Sequence, residues 1–405
     1  MCIRFLINFI YFLIDILVMK RIVILGGGTG GLMASKELSE ALNKEAEIIL
    51  IDKKTHTEFR PSYLYVMMGY REPEQIRAPL TLLEKRNVKF INAEVTNLDL
   101  ANRKVKTNKG DLNYDYLIIS LGAETKPELV KGNSAPHPWE LDSALKVREI
   151  IRKFKKGRLL IATHSTPYRC PPAPWETALL LDFYFSGLGL RNNITITMIH
   201  PFKRPFENFG PMAAKMMEGL MQERKIEWIG IGKNPAIDHV ESNYIVTSNN
   251  EKINFDALIL IPPHAPPKAV AESPIADSAT GWARAYPPTM RTSYDDVYAV
   301  GDVVAPSLGI GMAGVILHSY IGYPIASIVA DIKGTYITKD FRVTGSCVLD
   351  VGGFAMAAQC DFTKVVLKQA TYPDCMFLPP SSIARIFKEF FEKQYFSWLL
   401  GYVPT

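Results

Sequence analysis

The stretch "KRIVILGGGTGGLMASKELSEAL", residues 20–42, limits the fold more than any other part of the chain. An apolar run from Ile22 to Leu25 ends in Gly26, Gly28 and Gly31, spaced G-x-G-x-x-G, and a helical pattern follows. That order reads as a β-strand, a tight turn and a helix. Gly26 suits the turn, Gly28 lets a pyrophosphate approach the backbone, and Gly31 lets the helix pack closely on the strand. The helix N-terminus, with Thr29 and Gly30 in its first turn, then offers unpaired N–H groups to phosphate. A second strand pattern, "AEIILID", ends at Asp52. An acidic residue about twenty positions past the last glycine is placed to take ribose hydroxyls. The expectation is a Rossmann-like α/β domain that binds an adenine dinucleotide.

Two later segments narrow the cofactor. "NYDYLIISLGAE" (113–124) is a strand ending in a small-residue turn at Ser120 and Gly122, and "TSYDDVYAVGDVV" (292–304) is a strand ending at Gly301-Asp302. With the first glycine motif they resemble the three FAD signatures of the flavoproteins built on two dinucleotide-binding domains, as in glutathione reductase. The resemblance spans essentially residues 20–400. It implies FAD as cofactor, with Asp302 on the ribitol chain and a helix N-terminus at Ala313-Gly314 facing the flavin. Val95, Ser120, Gly122 and Gly301 complete the implied set of cofactor contacts. The expected domains are 19–140 and 286–335 for FAD, an inserted α/β domain over 141–285, and a C-terminal region over 336–405.

The middle of the chain lacks what such an architecture commonly carries. "KKGRLLIATH" reads as the first strand of the inserted domain, and a second glycine fingerprint for NAD(P)H should follow. Instead comes "STPYRCPPAPWETA", with no glycine between Leu159 and Ser186. A pyrophosphate cannot approach this backbone, and the prolines remove N–H donors it would use. The turn presents Cys170 instead, so the electron donor reacts at sulfur.

"YRCPPAPWETALLLDFYF" looks like the central cysteine motif of the sulfide:quinone oxidoreductases and of flavocytochrome c sulfide dehydrogenase flavin subunits. "GSCVLDVGGFAMAA" (345–358) resembles their C-terminal cysteine segment. The resemblance implies a redox-active Cys170–Cys347 disulfide beside the flavin, with Cys347 nearer the ring and Cys170 accepting sulfide sulfur. It also implies Glu176 as base; His164 and His200 are weaker candidates. Two departures are visible: no third cysteine follows the first flavin-domain strand, and Met312 stands where a lysine is expected. Competing readings are a type II NADH dehydrogenase-like quinone reductase and a flavoprotein electron-transfer subunit working with a cytochrome.

Composition adds bounds. The formal charge of +5 over 405 residues gives no reason to expect nucleic acid. Five cysteines without a C-x-x-C pair, and histidines without an H-x-x-x-H pair, offer no structural metal. Cys360 and Cys375 read as small buried apolar residues. Residues 1–18 read as a doubtful extension from an upstream start, since "MKRIVILGGG" from Met19 is a complete domain opening, with a short membrane anchor as the other reading. The closing stretch "SSIARIFKEFFEKQYFSWLLGYVPT" is an amphipathic helix, with Ile383, Ile386, Phe387, Phe390, Phe391, Tyr395, Trp398 and Leu399 on one face. Arg385, Lys388, Glu389, Glu392 and Lys393 fill the other. Such a helix suits a membrane interface or burial against the core; the resemblance implies the former, with sulfide or another small sulfur donor, a quinone and a membrane surface as partners. The expected location is peripheral on the cell membrane, or cytoplasmic should the helix be core; a homo-oligomer is left open.

Overall fold

The computed structural model describes residues 19–335 and 340–404. The expected extension over 1–18 lies outside the described residues.

Two parallel sheets with the same winding organise the chain. In the first, the strand Lys20–Leu25 lies at the centre. Ala46–Asp52 and then Val88–Asn92 flank it on one side, and Tyr116–Ile119 and then Val297–Ala299 on the other. All four pairings are parallel. Both faces are covered, so these strands read as continuous apolar runs rather than alternating ones. Ile22, Val23, Ile24 and Leu25 are all fully buried.

The second sheet repeats this plan. Gly157–Thr163 is central, Ile194–His200 and Ile226–Gly230 follow on one side, and Ala257–Ile261 on the other, again all parallel. In such sheets ligands bind beyond the carboxyl ends of the strands, where the winding reverses. Two elements therefore occupy equivalent places: the glycine turn after Leu25 and the Cys170 loop after Thr163.

A three-stranded antiparallel sheet, Thr344–Asp350, Ala355–Asp361 and Asp374–Ser381, leads into the C-terminal helix Ser382–Leu400. Ser381 caps that helix, its hydroxyl accepting from the Ala384 N–H at 3.1 Å. One described stretch, Gly314–Lys333, is long and apolar enough to cross a membrane. It breaks into two helices, and Ile316, Leu317, Tyr320, Tyr323, Ile325 and Ile328 are buried in the protein's own core.

Candidate functional site

The glycine turn has the shape a dinucleotide needs. A Cβ on Gly31 would lie 1.8 Å from the Gly26 carbonyl oxygen, so helix and strand meet at a distance only glycine allows. Gly26, at φ +99°, would drive a Cβ to 2.5 Å from the Ser120 carbonyl. Gly28 is different: nothing lies within 4 Å of its Cβ position, and Gly122 is equally open. These open positions line a cleft that a ligand can fill. Ser120 ties the neighbouring strands together, its hydroxyl donating to Leu25 O at 2.8 Å. Asp52 accepts from Gly27 N at 2.6 Å and Lys54 N at 2.7 Å, which fixes its carboxylate at the strand end beside the turn. Ala93 N bonds Asp52 O, and Val95 opens the next strand, partly buried against the same core.

The far end of the cleft is built by the Gly301–Val303 turn and the helix Gly314–Tyr320. Burial raises the Asp302 carboxyl to about 6, and the Arg60 guanidinium opposes this. A donor hydroxyl from a bound ribitol would relieve that desolvation. A Cβ on Gly314 would sit 3.6 Å from Thr29 Oγ1, so the two helix N-termini face one cleft; Ala313 caps the second. Gly30 packs against Ser120 and Leu317. The residues present therefore fit an FAD-sized dinucleotide from pyrophosphate turn to ribitol carboxylate.

Over this cleft stands the Cys170 loop, and its rigidity has named causes. Cys170 has φ +54°, a left-handed conformation that costs a non-glycine residue roughly 1–3 kcal/mol. The cost is offset on every side. Cys170 N donates to Met312 O at 2.7 Å, and Ala173 N to Cys170 O at 2.9 Å. Trp139 Nε1 donates to Arg169 O at 2.7 Å, while Arg169 reaches back to Trp139 O and Glu140. Tyr168 Oη lies 2.9 Å from His200 Nε2 and donates to Pro171 O at 3.1 Å. His200 Nδ1 accepts from Phe202 N, which leaves Nε2 carrying the proton. Burial pushes His200 down to about 3, so it stays neutral. It props the loop through Tyr168. His164, at the end of the Gly157–Thr163 strand, is likewise pushed down by burial.

Met312 stands where the resemblance led one to expect a lysine. Its side chain is buried and its carbonyl anchors Cys170, while a Cβ on neighbouring Gly311 would meet Pro171 at 2.5 Å. This segment serves as the seat of the cysteine loop.

Cys347, on the strand Thr344–Asp350, lies within electrostatic reach of Cys170, and its charge raises the Cys170 thiol. Both are free thiols, whereas the resemblance implied a disulfide between them. Burial pushes Cys347 up to about 11, Glu176 adding to the rise and Lys388 opposing it. Burial likewise raises Cys170, with Cys347 and Glu176 adding and Lys388 opposing. Glu176, in the first turn of the helix Ala173–Gly187, is 4% exposed and accepts from Asp350 N at 3.2 Å. Its carboxylate forms a short ion pair with Lys388. Burial raises Glu176 and Lys388 opposes it.

Two expectations need correction. Cys360 and Cys375 are disulfide-bonded, not simply small apolar residues. They are Cα partners on adjacent antiparallel strands, a register that brings their Cβ atoms together. The C-terminal helix is also turned differently from a simple amphipathic reading. Tyr395, Phe396, Leu399 and Leu400 are buried in the core around the first sheet, and Tyr395 Oη lies 2.9 Å from Thr29 Oγ1. Its charged face points inward: Arg385 meets Asp350 at 3.3 Å, Lys388 meets Glu176, and Glu392 accepts from Arg71 at 2.7 Å. Ile383, Ile386, Phe387 and Phe390 are exposed, each by more than half. The sequence alone gave no signal for these long-range partners, because a charge on a helix reads as solvated until its neighbours are known.

The pyridine nucleotide-disulphide oxidoreductase family matches residues 20–166. The sulfide-quinone reductase of Aquifex aeolicus is 26% identical over 409 residues, covering 94% of this chain and 90% of that protein. The mitochondrial sulfide:quinone oxidoreductase of Dictyostelium discoideum is 26% identical, with 70% of this chain and 65% of that protein covered. A type II NADH:quinone oxidoreductase of Staphylococcus aureus is 31% identical over 139 residues, only 34% of each chain. The solved Aquifex aeolicus sulfide:quinone oxidoreductase superposes with a TM-score of 0.81 at 24% identity, over 94% of this chain and 91% of that one. The chain is thus similar to the Aquifex aeolicus sulfide-quinone reductase in fold and along nearly its whole length in sequence, and its residues 20–166 match the pyridine nucleotide-disulphide oxidoreductase family.

Proposed function

We propose that this protein is an FAD-dependent sulfide:quinone oxidoreductase. The observation that carries the reading is the Cys170 loop: it follows the central strand of the second sheet, where a nicotinamide-binding sheet would have its glycine turn, and Cys347 lies within electrostatic reach of it. FAD is the cofactor, held by Gly26, Gly28, Thr29, Gly30 and Gly31 at the pyrophosphate, Asp52 at the ribose and Asp302 at the ribitol. Val95, Ser120, Gly122, Gly301, Ala313 and Gly314 line the remainder. FAD, when bound, takes an electron pair from sulfur and returns it to quinone.

The chain's own residues handle sulfur and protons. In the oxidised pair, sulfide attacks Cys170, leaving a persulfide there and releasing Cys347 as thiolate. Hydrogen bonds on both sides fix the left-handed backbone at Cys170, and Glu176 is the base within the same buried cluster. Domain limits follow the two sheets, with the inserted domain over 141–285 carrying Cys170. The exposed apolar edge of the C-terminal helix, with Met376 and Leu378 also exposed on the preceding strand, is the membrane-facing side. Attachment is peripheral, and quinone reaches the protein from the lipid.

Anaerobic mixing of the purified protein with sulfide and, separately, NADH tests this while flavin absorbance is followed. Sulfide bleaches the flavin and NADH does not. Rapid bleaching by NADH returns the type II dehydrogenase reading to first place.

A further inference from the structure

The charges around the cysteine pair do not divide evenly, and Lys388 is where they meet. Asp350 is fully buried and already satisfied: Tyr65 Oη donates to it at 2.9 Å, Gly352 N at 2.9 Å, and Arg385 pairs with it at 3.3 Å. Glu392 is matched by Arg71 one turn further along the C-terminal helix. That leaves one ammonium, Lys388, for Glu176 and for whatever charge appears on sulfur. Its surroundings are fully specified: Glu176 from the Ala173–Gly187 helix, Cys347 and Asp350 from the strand Thr344–Asp350, Cys170 from its loop, and the Tyr65 ring 5.3 Å away. On its own helix Arg385 is held by Asp350 at 3.3 Å and by Glu389 at 3.6 Å.

We propose that Lys388 is a positioning residue for the cysteine pair, which exchanges its partner from the Glu176 carboxylate to the Cys347 thiolate when the pair opens. The proposal rests on the sulfide reading only for the reagent that opens the pair. With hydrogen sulfide the balance is closed. One S–H proton passes to Glu176, the sulfur bonds to Cys170 as a persulfide, and the Cys170–Cys347 bond breaks with its electrons on Cys347. Glu176 becomes neutral as Cys347 becomes negative, and Lys388 stays charged between them, so the net charge of the buried cluster never changes. This matters because an added charge in such surroundings costs several kcal/mol unless it is paired. The burial that raises Glu176 is what lets it keep the proton. One consequence is that the membrane-side helix supplies a group on which the sulfur chemistry depends.

The test reads the thiols directly and does not need sulfide turnover. Holoprotein is reduced, freed of reductant and alkylated with iodoacetamide across a pH series, and labelling of Cys347 is followed by peptide mass spectrometry. Glu176→Gln leaves Lys388 with the sulfur and with Asp350, which Tyr65, Gly352 and Arg385 already hold, so labelling at pH 8 rises about tenfold, one pKa unit of thiolate fraction. Lys388→Met lowers it about tenfold, and Lys388→Arg stays near the parent rate. An ion pair that serves only the fold leaves Cys347 labelling at the parent rate in both Glu176→Gln and Lys388→Met, which overturns the proposal. Should Lys388→Met fail to retain flavin, Glu176→Gln and Lys388→Arg still decide it: no acceleration in the first, or a slowing in the second as large as tenfold, refutes it. Failure of sulfide to bleach the flavin, by contrast, would sink the enzyme reading and leave these labelling results standing.

Discussion

Tyr168→Phe isolates the support beneath Cys170. The change keeps the aromatic ring, which packs edge-on against Trp139 and His200 at centroid distances of 6.4 and 5.7 Å, and removes only the hydroxyl. That hydroxyl is the link between His200 Nε2 and Pro171 O, and the Tyr168 side chain is buried. Its loss strands one donor and one acceptor in a dry site, a cost of about 1–3 kcal/mol. The left-handed backbone at Cys170 stores strain of about the same size, roughly 1–3 kcal/mol. Two terms of equal order compete, so the loop relaxes in the variant and the sulfur leaves the position in which sulfide attacks it. The expected outcome is a urea midpoint lowered in proportion, unchanged flavin content, and sulfide-driven bleaching slowed about tenfold, equivalent to roughly 1.4 kcal/mol of lost positioning. Stopped-flow absorbance under anaerobic conditions reads the rate. Bleaching at the parent rate, with the stability loss present, would refute the claim that this hydroxyl holds the loop for catalysis.

Other outcomes follow from single contacts. Gly28→Val folds normally, since no protein atom lies within 4 Å of the new Cβ, yet it comes out colourless because the side chain takes the pyrophosphate's space; a yellow variant is the contrary result. The double change Cys360→Ser with Cys375→Ser removes a cross-link over a separation of 15 residues and lowers unfolding free energy by about 3 kcal/mol, as measured by denaturant titration. Sulfide-driven bleaching stays near the parent rate in that variant, and a large loss would show that the wrong cysteines were paired. Phe387→Asp with Phe390→Asp releases the protein from phospholipid vesicles in a flotation assay while flavin stays bound, because both side chains are exposed. Tyr395→Ala does the opposite, lowering flavin retention through the lost contact with Thr29.

The glycine motif, the acid at Asp52 and the strand ends at Ser120 and Asp302 were legible in the sequence because local geometry dictates them. A strand turning into a helix around a phosphate needs glycine at set spacings, and those spacings survive in one dimension. The missing second glycine turn was legible for the same reason, and with it Cys170. What the sequence could not show is what each exposed-looking group touches. Lys388 reads as a solvated lysine on a tail helix, yet Glu176, 212 residues away, is its partner. Tyr395 reads as a membrane-interface aromatic, yet it closes on Thr29 from a separation of 366 residues. Cys360 and Cys375 read as lone apolar residues until antiparallel register places them opposite each other. Local sequence thus determines where the backbone turns and which atoms it offers a dinucleotide. Only tertiary structure decides how buried charges pair, because desolvation makes each one depend on partners the chain brings in from hundreds of residues away.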